Sequence, residues 1–168
     1  ADTAFSKKEN ADYSVIGCFG KHKEELHLLR VFRGRWEFNE LLTMLKTAYF
    51  YLQDNYKPAE LVIIEKKASG ISLAQELIRL TNFNIKEVTP KTDKFSRVVN
   101  VIDDLHKLRL PSDKTNPLNS WTESFLYELQ MFRGDMQHEH DDQVDMLVYA
   151  LEYYKNNKTN WQQVLNML

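Results

Sequence analysis

The fold class is decided by the stretch LVIIEKKASG, residues 61–70, near the middle of the chain. Residues 61–65 form a continuous apolar run that ends in a carboxylate, which is typical of a strand buried on both faces of a parallel sheet. Residues 66–70 are predicted to be a loop, and residues 72–80 show the apolar spacing of a helix. Residues 85–89 predict a second short strand. The stretch therefore predicts a strand–helix–strand unit.

Two strands and a helix are predicted on the N-terminal side of this unit. The segments 12–20 and 25–33 are rich in β-branched and aromatic residues, and a charged turn, residues 21–24, joins them as a hairpin. Apolar residues then recur at helical spacing from position 37 to about 56, and Pro58 marks the end of that helix.

Three helices are predicted on the C-terminal side. Thr92 or Asp93 is the expected cap of a helix that continues towards residue 108. Further helices are predicted over residues 121–132 and 141–154. The complete order, β-β-α-β-α-β-α-α-α, predicts an α/β fold in which a mixed β-sheet is flanked by α-helices.

The composition indicates one globular domain over residues 1–168, neither a membrane protein nor a strongly basic nucleic-acid binder. The formal net charge is −2 and 43% of the residues are hydrophobic, so the chain can bury a sizeable core without disulfides. Cys18 is the single cysteine; this excludes a disulfide framework or a clustered cysteine zinc site, and a buried apolar role is expected. No membrane span or signal peptide is visible. The chain does not begin with methionine, so an excised fragment of a longer protein or a processed product is expected.

Three widespread catalytic motifs are missing from the sequence. There is no G-x-x-x-x-G-K-[ST] phosphate loop, because His22 follows the single Gly-Lys pair and Val15 stands where the first glycine would be. There is also no G-x-S-x-G nucleophile elbow and no G-x-G-x-x-G dinucleotide fingerprint. A P-loop ATPase, an acyl-transfer enzyme and a dinucleotide oxidoreductase are therefore poor fits.

Acidic residues at three places are the candidate catalytic groups. Asp2 lies near the first strand pair, and Glu65 ends the most apolar strand, where open α/β sheets place their ligands. A buried Glu65 carboxylate would need a cation or hydrogen bonds. The alternative is a carboxylate that faces solvent or pairs with Lys66 or Lys67. The third place is the run HDDQVD, residues 140–145, at the start of the last helix.

The run 140–145 contains Asp141, Asp142 and Asp145, with no lysine or arginine near them in sequence. Their mutual repulsion predicts a divalent cation, and carboxylate oxygens suit Mg²⁺ or Mn²⁺. Aspartates that cap a helix are the alternative. On a helical wheel Asp141 and Asp145 flank the predicted core stripe and Asp142 points away from it, so periodicity does not choose among the three.

Basic residues close to these acids are candidate contacts for a phosphate group. Lys94 and Arg97 are three residues apart on a predicted helix and therefore share a face. Lys66 directly follows Glu65. Phosphate contact near the carboxylates is one interpretation, and a mixed, solvated helix face is the other.

Motifs spread over nearly the whole chain resemble those of the nuclease domain of the phage terminase large subunit. They occur in family order and are DTAF (2–5), DYSV (12–15), IEKKASG (64–70), KTDKFSR (91–97), LP (110–111), Trp121, Phe125, Glu128-Leu129, Phe132 and HDDQVD (140–145). The resemblance implies an RNase H-like fold, related to Holliday-junction resolvases and retroviral-type integrases. It also implies an endonuclease that cuts concatemeric double-stranded phage DNA during genome packaging, in the cytoplasm of a bacterial host.

The resemblance implies partners beyond DNA as well. Full terminase large subunits carry an N-terminal packaging ATPase. Because the phosphate loop is missing, that ATPase is not expected within these residues. The small terminase subunit and the portal are the other implied partners, and no membrane is involved.

Roles for individual residues also follow from the resemblance. Asp2 matches the first-strand aspartate that is shared by two divalent ions, Mg²⁺ or Mn²⁺. Glu65 matches the second acid. The third acid lies among Asp142, Asp145 and Asp141, in that order of preference, because relatives differ in which position of the motif binds metal.

The implied reaction is phosphodiester hydrolysis by two divalent ions about 4 Å apart, one activating water and the other stabilising the leaving 3′ oxygen. Lys66, Lys94 or Arg97 would position the phosphate. In relatives an apolar strand leads into the first aspartate, whereas only Ala1 precedes Asp2 here. Weak, salt-sensitive DNA binding is expected, with largely non-specific cleavage by the isolated domain.

Two further functions are compatible with the same fold. One is a catalytically inactive DNA-guiding or docking module of a packaging motor, which would need no metal. The other is a different RNase H-like nuclease, of the resolvase or transposase type. The resolvase and transposase types account less well for the helix predicted over residues 121–132 ahead of the run 140–145.

Overall fold

The computed structural model of the protein describes four segments of the chain, residues 13–66, 68–113, 115–132 and 141–165. Asp2 and Lys67 lie outside these described residues, as does His140 at the start of the acidic run. None of the helices within the four segments is long and apolar enough to cross a membrane.

The first two strands form an antiparallel hairpin. They are β1 (Ser14–His22) and β2 (Glu25–Gly34), and a bulge interrupts their register between Cys18 and Phe19. Lys23 adopts a φ of 52° in the connection, the left-handed conformation that tight hairpin turns require. The hairpin predicted from the sequence is therefore confirmed.

The other strands complete two sheets. The short β5 (Leu108–Arg109) pairs parallel with β2, so the first sheet has the order β1-β2-β5 and is mixed. The second sheet consists of β3 (Val62–Glu65) and β4 (Ile85–Val88), which are parallel. The predicted α/β class and the parallel strand–helix–strand unit are confirmed. The described strands are divided between two sheets, however, where the sequence predicts one mixed sheet.

The described residues form five α-helices: α1 (Phe38–Asn55), α2 (Ala68–Leu80), α3 (Lys94–Val101), α4 (Trp121–Met131) and α5 (Asp142–Leu165). Asp93 caps α3, since its Oδ1 accepts a hydrogen bond from the Ser96 backbone N–H at 2.9 Å. A 3-10 helix, Ile102–Lys107, takes over after Val101, so the regular helix ends earlier than predicted. The last helix extends beyond its predicted end at residue 154.

The start of α2 differs from the sequence-based prediction. The loop predicted over residues 66–70 is too long, because α2 already begins at Ala68. Gly70 explains the difference: a Cβ there would lie 2.0 Å from the Glu65 carbonyl oxygen. Glycine therefore lets the first turn of α2 approach the end of β3 more closely than any other residue would.

Two apolar cores lie on opposite faces of β1. Val15 enters the first core with residues of β2, α4 and α5, whereas Ile16 and Cys18 enter the second with residues of α1, β3 and α2. Successive strand residues point to opposite faces, so β1 is covered by helices on both sides. Cys18 is 3% exposed, as predicted, and burial raises the pKa of its thiol to about 12.

A cleft of about 730 Å³ lies between β1 and β3. Its walls include residues 16–20 and 61–63, and α1 and α5 also contribute side chains. Within the described residues no strand ladder joins the two sheets across this cleft. A Cβ on Gly17 would come within 2.2 Å of the Met146 sulfur, so glycine at this position lets α5 pack directly on β1.

Candidate functional site

Glu65 is the last residue of β3 and its side chain is buried, with 4% of the residue exposed. The position at the strand end is as predicted, and the solvent-facing alternative is wrong. The pKa of the Tyr149 hydroxyl is held well above its ordinary value. Burial is the largest cause, and the negative charge of the nearby Glu65 carboxylate is the second. Tyr149 thus links the end of β3 to α5.

One face of α5 carries four polar residues, Asp142, Asp145, Tyr149 and Glu152, which we call the acidic face. Their spacing of three, four and three residues places them on one side of a helix with 3.6 residues per turn. Asp142 and Asp145 are each 6% exposed. Two of the three predicted aspartates therefore lie buried on the same face as the tyrosine that meets Glu65.

Two cations of α3 neutralise the start of α5. Lys94 Nζ lies 2.5 Å from Asp141 Oδ2 and 2.7 Å from Asp145 Oδ2. Arg97 Nη2 donates to Asp145 Oδ1 at 2.7 Å, and its guanidinium lies 4.7 Å from the centre of the Tyr149 ring. Both oxygens of Asp145 are therefore engaged by positive charge.

These ion pairs change the interpretation of the acidic run. The sequence predicts that a divalent cation relieves the repulsion among the aspartates, because no basic residue is near them along the chain. In the structure Lys94 and Arg97 supply that positive charge from a helix more than 40 residues away. Repulsion among these aspartates therefore does not, by itself, indicate a metal ion.

The pKa values of two neighbouring groups follow from the same cluster. Burial on its own would lower the pKa of Lys94, but its hydrogen bonds to Asp141 and Asp145 outweigh burial and raise it. The pKa of Glu152 is also raised, by burial and by the charge of Asp145, against the opposing effect of Arg97. Lys94 therefore stays charged at neutral pH.

Glu128 of α4 is a residue of this site for which the sequence predicted no role. It is 7% exposed, and its Oε1 accepts hydrogen bonds from the backbone N–H groups of Gln143 at 2.6 Å and Val144 at 3.3 Å. Its Oε2 accepts from Gln143 Nε2 at 2.7 Å. A helix start leaves such N–H groups unpaired, so Glu128 caps α5 from a different helix. An acid among the apolar residues Phe125, Leu129 and Phe132 was the signal that could have revealed it.

Arg33 connects this cap to Asp142. Its Nη2 lies 3.5 Å from Glu128 Oε2 and 4.0 Å from Asp142 Oδ2. The guanidinium lies 3.9 Å from the centre of the Tyr13 ring. Asp142 therefore faces an arginine of β2, whereas Asp145 faces the cations of α3.

The structure brings together some of the predicted residues and not others. Glu65, Asp145 and Arg97 lie around Tyr149, Lys94 pairs with Asp145, and Asp142 extends the same face of α5. Lys66 follows Glu65 but is exposed. Arg97 is 5% exposed, so its guanidinium serves the interior of the cluster. Asp2 lies outside the described residues.

The donor set of this site suits a hard metal ion in part. The described residues hold no group of three or more histidine, cysteine, aspartate or glutamate side chains placed to bind one metal ion. Glu65 and Asp142 are carboxylates, the donors that Mg²⁺ and Mn²⁺ prefer, and their chemistry fits such an ion. Asp145 is less available, since Lys94 and Arg97 hold both of its oxygens.

Comparison with known proteins gives the family. The family described as "Terminase RNaseH-like domain" matches residues 1–153 of the chain, a span that contains every residue of the site described above. A search of curated proteins finds no match. The mixed α/β fold with helices on both sides of β1 agrees with the RNase H-like description. The chain belongs to the terminase RNaseH-like domain family and is a nuclease-type terminase domain.

Proposed function

We propose that this domain is a metal-dependent endonuclease that cuts concatemeric double-stranded phage DNA during genome packaging. One observation carries the proposal: a buried carboxylate, Glu65, ends a parallel strand and meets the acidic face of α5 through Tyr149. Buried acids at a strand end and a facing helix are costly unless they serve as ligands or are neutralised. In a nuclease-type terminase domain, a carboxylate buried at a strand end is a candidate metal ligand, and we propose that role for Glu65.

The proposed metal ligands are Asp2, Glu65 and Asp142. Asp142 is preferred over Asp145 and Asp141, in the order that the family resemblance gives, and Lys94 holds the latter two in direct ion pairs. When bound, two divalent ions would activate water and stabilise the leaving 3′ oxygen. The residues of the chain hold and orient the carboxylates: Glu128 fixes the start of α5, and Arg97 fixes Asp145.

The proposed substrate contact is electrostatic. Lys66 is exposed directly after Glu65, so it is placed to contact a phosphate beside the carboxylate. Lys94 is a second candidate once DNA competes for its ion pairs, and Arg97 acts mainly by positioning Asp145. In the full protein we propose a packaging ATPase domain, the small terminase subunit and the portal as partners.

Cleavage of supercoiled plasmid in Mn²⁺, Mg²⁺ or EDTA tests this proposal. Metal-dependent nicking is expected for the native chain and is expected to be lost in Glu65→Gln and in Asp142→Asn. Matched controls are Glu123→Gln on α4 and Asp54→Asn on α1, both of which change exposed acids and leave cleavage intact. Full activity of Glu65→Gln would overturn the assignment.

This experiment, extended to linear duplex and four-way junction substrates, separates the alternative functions. A folded sample that cuts no DNA at millimolar Mn²⁺ would support an inactive DNA-guiding module instead. Preference for a four-way junction over linear duplex would support a resolvase-type nuclease.

A further inference from the structure

A second pocket, of about 420 Å³, lies next to the acidic site. It is formed by the C-terminal part of β2, the residues around the start of α4 and the first turn of α5. Its volume is within the range of small-ligand sites. Arg33 belongs to its wall and also lies 4.0 Å from Asp142. The Arg33 side chain therefore separates the pocket from Asp142, a proposed metal ligand.

The wall of this pocket combines guanidinium groups with aromatic rings. Arg30, Arg33, Trp36 and Trp121 line it, and no acidic side chain is among the described residues that do so. The Arg30 guanidinium lies 5.5 Å from the centre of the Phe32 ring. Arg30 Nη1 also donates to the Leu118 backbone carbonyl, and Arg33 Nη2 faces Glu128 and Asp142. Both guanidinium groups are therefore held in place, and their other N–H groups would contact a phosphate.

Polar atoms of these residues also lack partners. The Nε groups of Arg30 and Arg33, Nε1 of Trp121 and Oε1 of Gln143 are buried with no hydrogen-bond partner among the described residues. Gln143 is 1% exposed, and its Nε2 is fixed by Glu128. Since buried polar groups are normally hydrogen-bonded, unpartnered donors and an acceptor on residues that line one pocket favour a polar ligand there.

The mouth of the pocket is open enough for a nucleic-acid strand to enter. Ser120 and Ser124 line it and are both exposed. A nucleotide brings phosphate oxygens for the arginines and an aromatic face for Trp36 or Trp121.

We propose that this pocket binds one unstacked nucleotide of a DNA strand, with its phosphate against Arg30 and Arg33 and its base against Trp36 and Trp121. The proposal rests on the proposed nuclease function and adds its substrate form: a strand that is locally single-stranded beside the acidic face. Binding at this pocket needs no metal, because none of the residues that form it is a proposed metal ligand.

Binding measured in EDTA tests the pocket separately from cleavage. The probes are a fluorescein-labelled twelve-residue oligothymidylate, an abasic strand of equal length, and inorganic phosphate as competitor. We expect the oligothymidylate to bind about tenfold more tightly than the abasic strand. Equal binding of the two strands would overturn the assignment of a base site, and Glu65→Gln should bind as well as the native chain even though it does not cleave.

Variants locate the site. Trp36→Ala and Arg30→Gln should each weaken oligothymidylate binding by about tenfold. The matched controls Trp161→Phe, which changes the third tryptophan of the chain, and Arg79→Gln, which changes an exposed arginine on α2, should leave it unchanged. A loss that is equal in the control variants would contradict the proposal.

Crosslinking of the unmodified protein covers the case in which Trp36→Ala does not fold. An oligothymidylate with one 5-iododeoxyuridine should crosslink under ultraviolet light to peptides that contain Trp36 or Trp121. Crosslinks confined to other peptides would overturn the proposal.

Discussion

Asp145 illustrates how a single residue decides the character of the site. One oxygen faces Lys94 and the other faces Arg97, at 2.7 Å each, and the residue is 6% exposed. A buried charge that loses its partner is strongly destabilising, whereas removing both partners together can be nearly neutral. The first role of the Asp145 ion pairs is therefore to stabilise the packing of α3 against α5.

Arg97→Met is expected to lower the free energy of unfolding by about 3 kcal/mol, because it leaves Asp145 buried with Lys94 as its main counter-charge. Adding Asp145→Asn should recover part of that loss. Urea denaturation of the two single variants and the double variant measures the coupling. Strictly additive losses would mean that the pair contributes no interaction of its own.

The capping of α5 by Glu128 also acts through one residue, and its loss can be measured. Glu128→Ala is expected to lower the free energy of unfolding by about 2–4 kcal/mol, since two backbone N–H groups and Gln143 Nε2 lose a charged acceptor. Glu128→Gln should cost less, because one acceptor oxygen remains. Thermal unfolding compares both with Glu123→Ala on the exposed side of α4, which should change stability by less than about 0.5 kcal/mol.

At the scale of elements, the sequence predicted most strands and helices because their patterns are local. The hairpin of β1 and β2, the helix α1 and the parallel pair β3 and β4 all follow from runs of apolar residues and turn signals. The start of α2 was wrong because a glycine reads as a loop residue. Its helical role depends on the Glu65 carbonyl, a contact that no local pattern contains.

Gly70→Ala tests that explanation directly. In an ordinary exposed helix this change would stabilise the protein by about 1 kcal/mol. Here we expect destabilisation of about 1–3 kcal/mol, because the added Cβ would lie 2.0 Å from the Glu65 carbonyl oxygen and must displace α2 or β3. A melting temperature at or above that of the native chain would contradict the close approach.

At the scale of the whole molecule, the site could be predicted only in part. Glu65 and the aspartates of α5 stand out as acids beside apolar runs, so the sequence identifies them. It did not show that Lys94 and Arg97 would neutralise Asp145, or that Glu128 would cap α5. These contacts join residues 15 to 51 positions apart, and their geometry is set by how the helices pack rather than by any spacing along the chain.

Global stability should depend on pH through Cys18. The pKa of its buried thiol is raised to about 12, above an unfolded value of about 8.5, so the folded state holds the proton more tightly. That contribution is complete below pH 8.5 and is lost as the pH rises towards 12.

Urea denaturation of the native chain and of Cys18→Ala at pH 7.5 and pH 10 isolates this effect from other titrating groups. The stability difference between them should shift by about 2 kcal/mol in favour of Cys18→Ala at the higher pH. A difference that does not change with pH would mean that the thiol is not buried as described.

The cleft between β1 and β3 has a consequence for how the site keeps its dimensions. Glu65 belongs to one sheet, and the acidic face of α5 packs on the other, so within the described residues no backbone ladder sets the spacing of the two. Side-chain packing across the cleft therefore contributes to that spacing, and packing can loosen locally before a fold melts as a whole. On warming, we expect the alignment of the acids to be lost before the helices and strands unfold.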